Sequence, residues 1–316
     1  MLSLPDFLEK QIVIIGPGEE KSLKFKNDNL VVGTNDETKW QVSCHKIFSI
    51  FLIGEATLTT TLLRKGMEHG ISFVLMTQNL RSYAVIGAET EGNTILRRKQ
   101  YSWTDTLPMA RMLMHNKVEN QQKLLKDLRK KETKTKQAIS VMTGFLEKID
   151  RAQDEKELMG YEGGASKEFF QAYFADIGWR VRLPRTKYDM TNTLMDIGYT
   201  YLFNFTDALL RLYGFDTYLG FYHKEFYQRK SLACDVMEPM RCLVDRQIRK
   251  GYNLSQINEK DFTTKNKQYD LRYKKSSAYT KMFAEAIMER KKDIFTYIRS
   301  FYMSVMKEEP ISFFTL

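Results

Sequence analysis

Long apolar runs are missing from the 316 residues: none approaches the roughly eighteen positions that a membrane-spanning helix needs. The opening MLSLPDFLEK has no basic start followed by an apolar stretch, so neither a secretory leader nor a membrane partner is expected. Cysteine is scarce. Cys44, Cys234 and Cys242 are odd in number and form no CxxC pair, which excludes a disulfide framework, offers no zinc site and suits a reducing cytoplasm. Six prolines are too few for a disordered linker, and no repeat or low-complexity tract is present. What is abundant is positive charge. A net charge of +10 makes a polyanion, above all nucleic acid, the leading partner class.

The chain is long enough for two domains. Up to about residue 95 the pattern is short and strand-like: QIVIIG (11–16), NLVVG (29–33), KWQVS (39–43), KIFSIFLIG (46–54), ISFVLMT (71–77) and SYAVIGA (82–88). One helix, carrying Leu58, Leu62 and Leu63 on one face, interrupts them. A polar linker over 96–106 follows, and from 107 to 316 only helical periods remain. Helices are expected over 107–150, 166–176, 191–213 and 231–250, with a long terminal helix over 280–306 whose stripe is Phe283, Ile287, Ile294, Ile298, Phe301 and Val305. The class is therefore α+β, a β-rich domain at 1–95 followed by an all-α domain.

Four histidines serve the whole chain, and one of them, His223, lies in GFYHKEFYQRKSLACDVMEPMRC, fifteen residues before Glu238. A straight helix would hold the two roughly 22 Å apart, so the chain has to turn back between them. KEFYQRKS offers the turn, with Ser231 as N-cap of a helix bearing Asp235 and Glu238. Two acids on one face with no lysine between them repel unless they share a cation. Glu162, before the glycines of MGYEGGASKEFFQAYF, is placed at a helix start. Taken alone it reads first as a capping acid, a reading the two glycines weaken, and otherwise as a third site carboxylate. Carboxylates with an imidazole suit Mg2+ or Mn2+ better than zinc. Arg180, Arg182, Arg185 and Lys187 lie between these stretches as candidate phosphate contacts, with Asp189 capping the next helix. A second basic run, 123–136, reads first as an exposed helix face.

In order and wording these motifs resemble the CRISPR-associated integrase family that captures new spacers, CRISPR-associated protein one. GYEGGASKEFFQAYF is similar to its glutamate motif, RTKYDMTNTLMDIGYTYLFNFTDALLRLYGFDTYLGFYH to its long helix, loop and histidine, and LACDVMEPMRCLVD to its closing acidic helix. IFLIGEATLTTTLLRKGMEHGISFVLM is similar to its strand, helix and strand. The likeness runs from about residue 10 to about 250. Thr217 and Cys242 stand where the family often has proline, and neither replaces a ligand.

The resemblance implies a β-sandwich N-terminal domain that dimerises, a helical catalytic domain, and a prokaryotic, cytoplasmic protein. It implies Glu162, His223 and Glu238 as metal ligands and catalytic residues, with Asp235 a weaker candidate. The cofactor is Mg2+ or Mn2+. The partners are double-stranded DNA as captured fragment and repeat array, a homodimer or higher assembly, and the family's small second subunit. The reaction is metal-dependent attack of a fragment's 3′-hydroxyl on a repeat phosphodiester. The rival expectations are a structure-selective DNase on branched DNA and a non-enzymatic DNA-binding scaffold.

Overall fold

The computed structural model describes residues 3–16, 22–33, 38–78, 80–87, 93–223 and 227–316. Residues 88–92, at the junction of the last expected strand and the linker, and 224–226 of the expected turn lie outside them.

A short helix α1 (Leu4–Leu8), capped by Ser3, leads into β1 (Gln11–Ile15), β2 (Ser22–Lys26), β3 (Asn29–Gly33), β4 (Thr38–Ser43), β5 (Ile47–Ile53), α2 (Thr60–Glu68), β6 (Ser72–Met76) and β7 (Ser82–Ile86). Two sheets result, ordered β1-β5-β6-β7 and β2-β3-β4. β5 pairs in parallel with both β1 and β6, and β7 closes that sheet antiparallel. Parallel neighbours need a crossover, which α2 supplies between β5 and β6. All seven residues of β5 are buried, as befits a strand covered on both faces. Ile50 and Leu52 face the small core shared with the second sheet, alongside Leu23, Leu30 and Val32. Phe48, Phe51 and Ile53 face the helices.

β2 was not foreseen. Its outward Lys24 and Lys26 dilute the apolar signal, and Asn27 and Asp28, both at positive φ, turn it directly into β3.

Most of the expected linker is helical. α3 (Thr94–Tyr101) starts on an Asn93 cap, and α4 (Leu107–Lys126), α5 (Thr133–Arg151), α6 (Glu155–Tyr173) and α7 (Met190–Tyr213) follow. Asp189 caps α7 as expected, its side chain accepting the Asn192 N–H. α7 is buried on nearly every side and receives the sheet. Phe205 packs against Phe48 at 5.1 Å and Tyr201 against Phe51 at 4.8 Å. Each such fully buried aromatic contributes roughly 1.5–3 kcal/mol.

Next come α8 (Ser231–Met237), a single 3-10 turn at 238–240, α9 (Cys242–Asn253), β8 (Phe262–Lys265), β9 (Gln268–Leu271), α10 (Ser276–Glu289) and α11 (Lys291–Lys307). The second half is therefore not all-α. β8 and β9 form a hairpin turned by Asn266 and Lys267, both at positive φ, in a stretch too polar to show a strand pattern. The long terminal helix is two helices. Arg290 leaves helical geometry and its guanidinium binds Asp293, while the seven-residue step from Ile287 to Ile294 keeps the buried stripe continuous across the break.

Candidate active site

α6 begins eleven residues before the expected position, because Asp154 caps it by accepting the Glu157 N–H at 2.8 Å. Glu162 therefore lies two turns inside the helix, and the capping role falls away. Of the two glycines after it, Gly164 serves packing, since a Cβ there would stand 2.6 Å from the Phe145 ring of α5, whereas one on Gly163 would meet open space. Inside a helix Glu162 projects sideways toward α4 and meets Lys117, whose Nζ lies 2.7 Å from Oε1. The Ser166 hydroxyl, one turn further along α6, donates to the same oxygen at 2.7 Å.

Lys117 also reaches Glu238, with Nζ 2.6 Å from Oε2. The buried Oε2 is thereby held in close ionic contact with the ammonium. Pro239 shapes the turn that presents Glu238, and Asn120 of α4 ties it down by donating to the Pro239 carbonyl at 3.2 Å. On its other side Glu238 Oε1 lies 2.9 Å from Arg241, whose guanidinium covers the Tyr199 ring at 4.8 Å. Burial pushes the Glu238 carboxyl up, but Arg241, Lys117 and His223 together outweigh it and hold the pKa down to about 2. Burial also disfavours the charged form of Lys117, and Glu162 and Glu238 reverse this, raising its pKa above the usual lysine value. Glu238 and Lys117 are therefore both ionised.

His223 follows the loop that ends α7, and the chain does turn back after it. α8 begins at Ser231, as its first residue and without the expected side-chain cap, and returns Asp235 to the histidine. Asp235 is fully buried. Its Oδ2 accepts the N–H groups of Phe221 at 2.8 Å and Tyr222 at 3.0 Å. Its Oδ1 accepts the N–H of His223 at 3.0 Å and contacts ring Nδ1 at 2.5 Å. Only glycine fits beside this nest, since a Cβ on Gly220 would stand 2.5 Å from Oδ2. Asp235 thus fixes the imidazole and leaves Nε2 as the nitrogen it does not engage. The neighbouring Tyr222 is buried, its hydroxyl has no hydrogen-bond partner, and burial followed by the charges of Glu162, Glu238 and Asp235 raises its pKa.

Two pairs therefore adjoin: Glu162 with Glu238 about one ammonium, and His223 with Asp235. No three His, Cys, Asp or Glu side chains converge as a ready metal cluster among the described residues. The donor set nonetheless fits a hard divalent cation. Two carboxylates already share one positive charge, and a buried carboxylate holds the histidine in the manner usual for ligating imidazoles.

A cavity of about 450 Å³ opens over Glu162, Lys117 and Arg241 and is walled by Trp179, Arg180 and Arg182. The basic residues of this segment divide. Arg182 is bound by Asn192 at 3.0 Å and Asp196 at 2.6 Å, and Lys187 pairs with Asp270 of β9, so both are committed to the fold. Arg180 and Arg185 are exposed. Sequence reasoning did not single out Lys117, Ser166 or Arg241. A signal for Lys117 existed: it occupies a place in the buried stripe of α4, Ala110, Leu113, Met114, Val118, Leu124 and Leu125, where an unpaired lysine is almost never found.

Among the described residues no helix is long and apolar enough to cross a membrane. The family model for CRISPR associated protein Cas1 matches residues 14–285. A CRISPR-associated endonuclease Cas1 of Rhodospirillum rubrum is 30% identical over 263 residues, covering 77% of this chain and 76% of that protein. Two solved structures share the fold. A CAS1 protein from Thermotoga maritima superposes with a TM-score of 0.81 at 21% identity, over 96% of this chain and 99% of that one. A casposase bound to integration product superposes with a TM-score of 0.79 at 18% identity, over 96% and 93%. The match over most of the chain places this protein in the Cas1 family of CRISPR-associated proteins.

Proposed function

We propose that this chain is a divalent-metal-dependent DNA integrase that inserts captured duplex fragments into a CRISPR repeat array. The observation that carries the reading is the meeting of Glu162 and Glu238 on one cation beneath a cavity edged by Arg180. Glu162, Glu238 and His223 would hold Mg2+ or Mn2+. When bound, the ion supplies Lewis-acid activation of the attacking hydroxyl and neutralises charge on the scissile phosphate.

The reaction exchanges one phosphodiester for another. The fragment's 3′-oxygen bonds to phosphorus, the repeat's 3′-oxygen leaves, and the proton lost by the first is gained by the second. The residues chiefly position. Asp235 locks the His223 ring, Arg241 keeps Glu238 ionised, and the cavity admits a strand beside Arg180. The casposase's complex with integration product supports transesterification over hydrolysis as the main reaction. A fragment has two ends to insert, so a homodimer or higher assembly, joined by the family's small second subunit, is the expected working form.

The test is incubation of the purified chain with short duplex DNA, a supercoiled repeat-bearing plasmid and Mg2+ or Mn2+. Joined product should form, and should vanish with a chelator or in Glu162→Gln. Cut plasmid without joined product would favour the branched-DNA nuclease. Full activity in Glu162→Gln would overturn the site.

A further inference from the structure

Lys117 stands where the reading above puts a metal. Its ammonium lies 2.7 Å from Glu162 and 2.6 Å from Glu238, and it reaches them from a third element, α4, otherwise unconnected with the ligand motifs. The opposite side of Glu238 already carries Arg241 at 2.9 Å. A divalent ion added to this arrangement would bring a further two positive charges within contact distance of one already there, in a site largely shielded from water. One cation has to move. Both line the adjoining cavity, but the Arg241 guanidinium is stacked on Tyr199, whereas Lys117 ends a flexible four-carbon stem. Arg180 borders that same cavity, which marks it as the place where a phosphate would lie.

We propose that Lys117 is a resident counter-cation of the active site, displaced by the divalent metal and taken up by DNA phosphate in the adjoining cavity. This inference rests on the metal-site reading. With neither metal nor DNA present, the lysine offsets the repulsion of the buried Glu238 and the partly buried Glu162 carboxylates and keeps them at working distance. With DNA present, a phosphate oxygen accepts the ammonium and the carboxylates are released to the metal. Metal and DNA binding are thereby coupled, each strengthening the other through one side chain.

The test measures Mn2+ binding to the full chain by the electron-paramagnetic-resonance signal of free Mn2+, with and without a short duplex. Wild type, Lys117→Met, Lys117→Arg and Glu162→Gln are compared, the last correcting for Mn2+ held by the DNA itself. Without DNA, Lys117→Met should bind Mn2+ at least about tenfold more tightly than wild type, since removing the ammonium leaves the carboxylate pair uncompensated. Lys117→Arg, which keeps the charge, should bind no more tightly than wild type. Addition of DNA should tighten Mn2+ binding in wild type and do so much less in Lys117→Met.

If Lys117→Met does not fold in metal-free buffer, Mn2+ should restore its helical circular dichroism, and failure to do so overturns the proposal. Site-specific Mn2+ binding in wild type that is lost in Glu162→Gln but unchanged in Lys117→Met would sink the lysine's role alone. Equal binding by wild type and Glu162→Gln would sink the metal site and this inference with it.

Discussion

Asp235 and Glu238 are three residues apart, both out of solvent, and they keep different company. Asp235 meets three backbone N–H groups and one ring nitrogen, all from the loop of residues 221–223. Glu238 meets two side-chain cations, Lys117 on one oxygen and Arg241 on the other. An acid whose lone pairs are spent on backbone is building a loop. One whose partners are side-chain cations holds charge ready for exchange. Residue type alone does not separate these roles; the partners do.

The sharpest way to break this contrast is to neutralise each acid with its amide. Glu238→Gln should reduce joining and cutting by about a thousandfold or more, the equivalent of several kcal/mol of lost metal stabilisation, with the helical circular dichroism unchanged. Asp235→Asn should reduce activity by about 10–100-fold, as expected for a group that orients a ligand. It should also lower the melting temperature, because each buried N–H left unpaired costs about 1–3 kcal/mol. An Asp235→Asn protein as inactive as Glu238→Gln and as stable as wild type would move Asp235 into the metal's own ligand set.

A third acid extends the comparison. Asp245, on α9, is fully buried, takes a 2.5 Å hydrogen bond from the Tyr199 hydroxyl and has an oxygen without a partner. Burial raises its pKa to about 7 against the opposing pull of Tyr199, Arg241, Arg182 and Lys117. The folded state therefore holds this proton more tightly than the unfolded chain, so stability is greatest below about pH 4 and is lost as pH rises through about 7. Measured against Asp245→Asn, which does not titrate, wild type should lose up to about 4 kcal/mol between those limits. A flat difference across that window would show that Asp245 stays ionised when folded.

The smallest effect concerns the arginines. Arg180→Ala should reduce the dependence of log affinity on log salt by about 0.9, one phosphate contact. Arg182→Ala should leave that slope alone and lower the melting temperature, since Asn192 and Asp196 already occupy its guanidinium. Equal slopes in wild type and Arg180→Ala would remove the cavity wall from the DNA path.

The sequence made parts of this legible for definite reasons. Glu162, His223 and Glu238 sit in motifs dense with rarer residues, and Asp189 bears a cap signal that nothing contests. The turn between His223 and Glu238 was forced by distance alone. Local pattern failed where a tertiary neighbour decided the outcome. Gly163 and Gly164 read as a helix boundary because the reason for a glycine at 164, the Phe145 ring, is contributed by another helix. β8 and β9 carry little apolar pattern and are specified by their turn and by pairing with each other. Lys117 was overlooked because a lysine on a helix is ordinarily solvated, and its two partners are supplied by α6 and the turn after α8.

One modest side chain ties distant parts of the chain together beside this centre. Asn120, a turn beyond Lys117, donates to the Pro239 carbonyl 119 residues away and to the Phe314 carbonyl 194 residues away, and its own oxygen accepts the N–H of Leu316. Closing such spans comes late in folding, after local helices have formed. On the ribosome, the helix bearing Lys117 emerges long before anything that can clamp it. Asn120 thus ties the turn that presents Glu238 and the segment of Phe314 and Leu316 to one side chain, so Asn120→Ala should loosen both together.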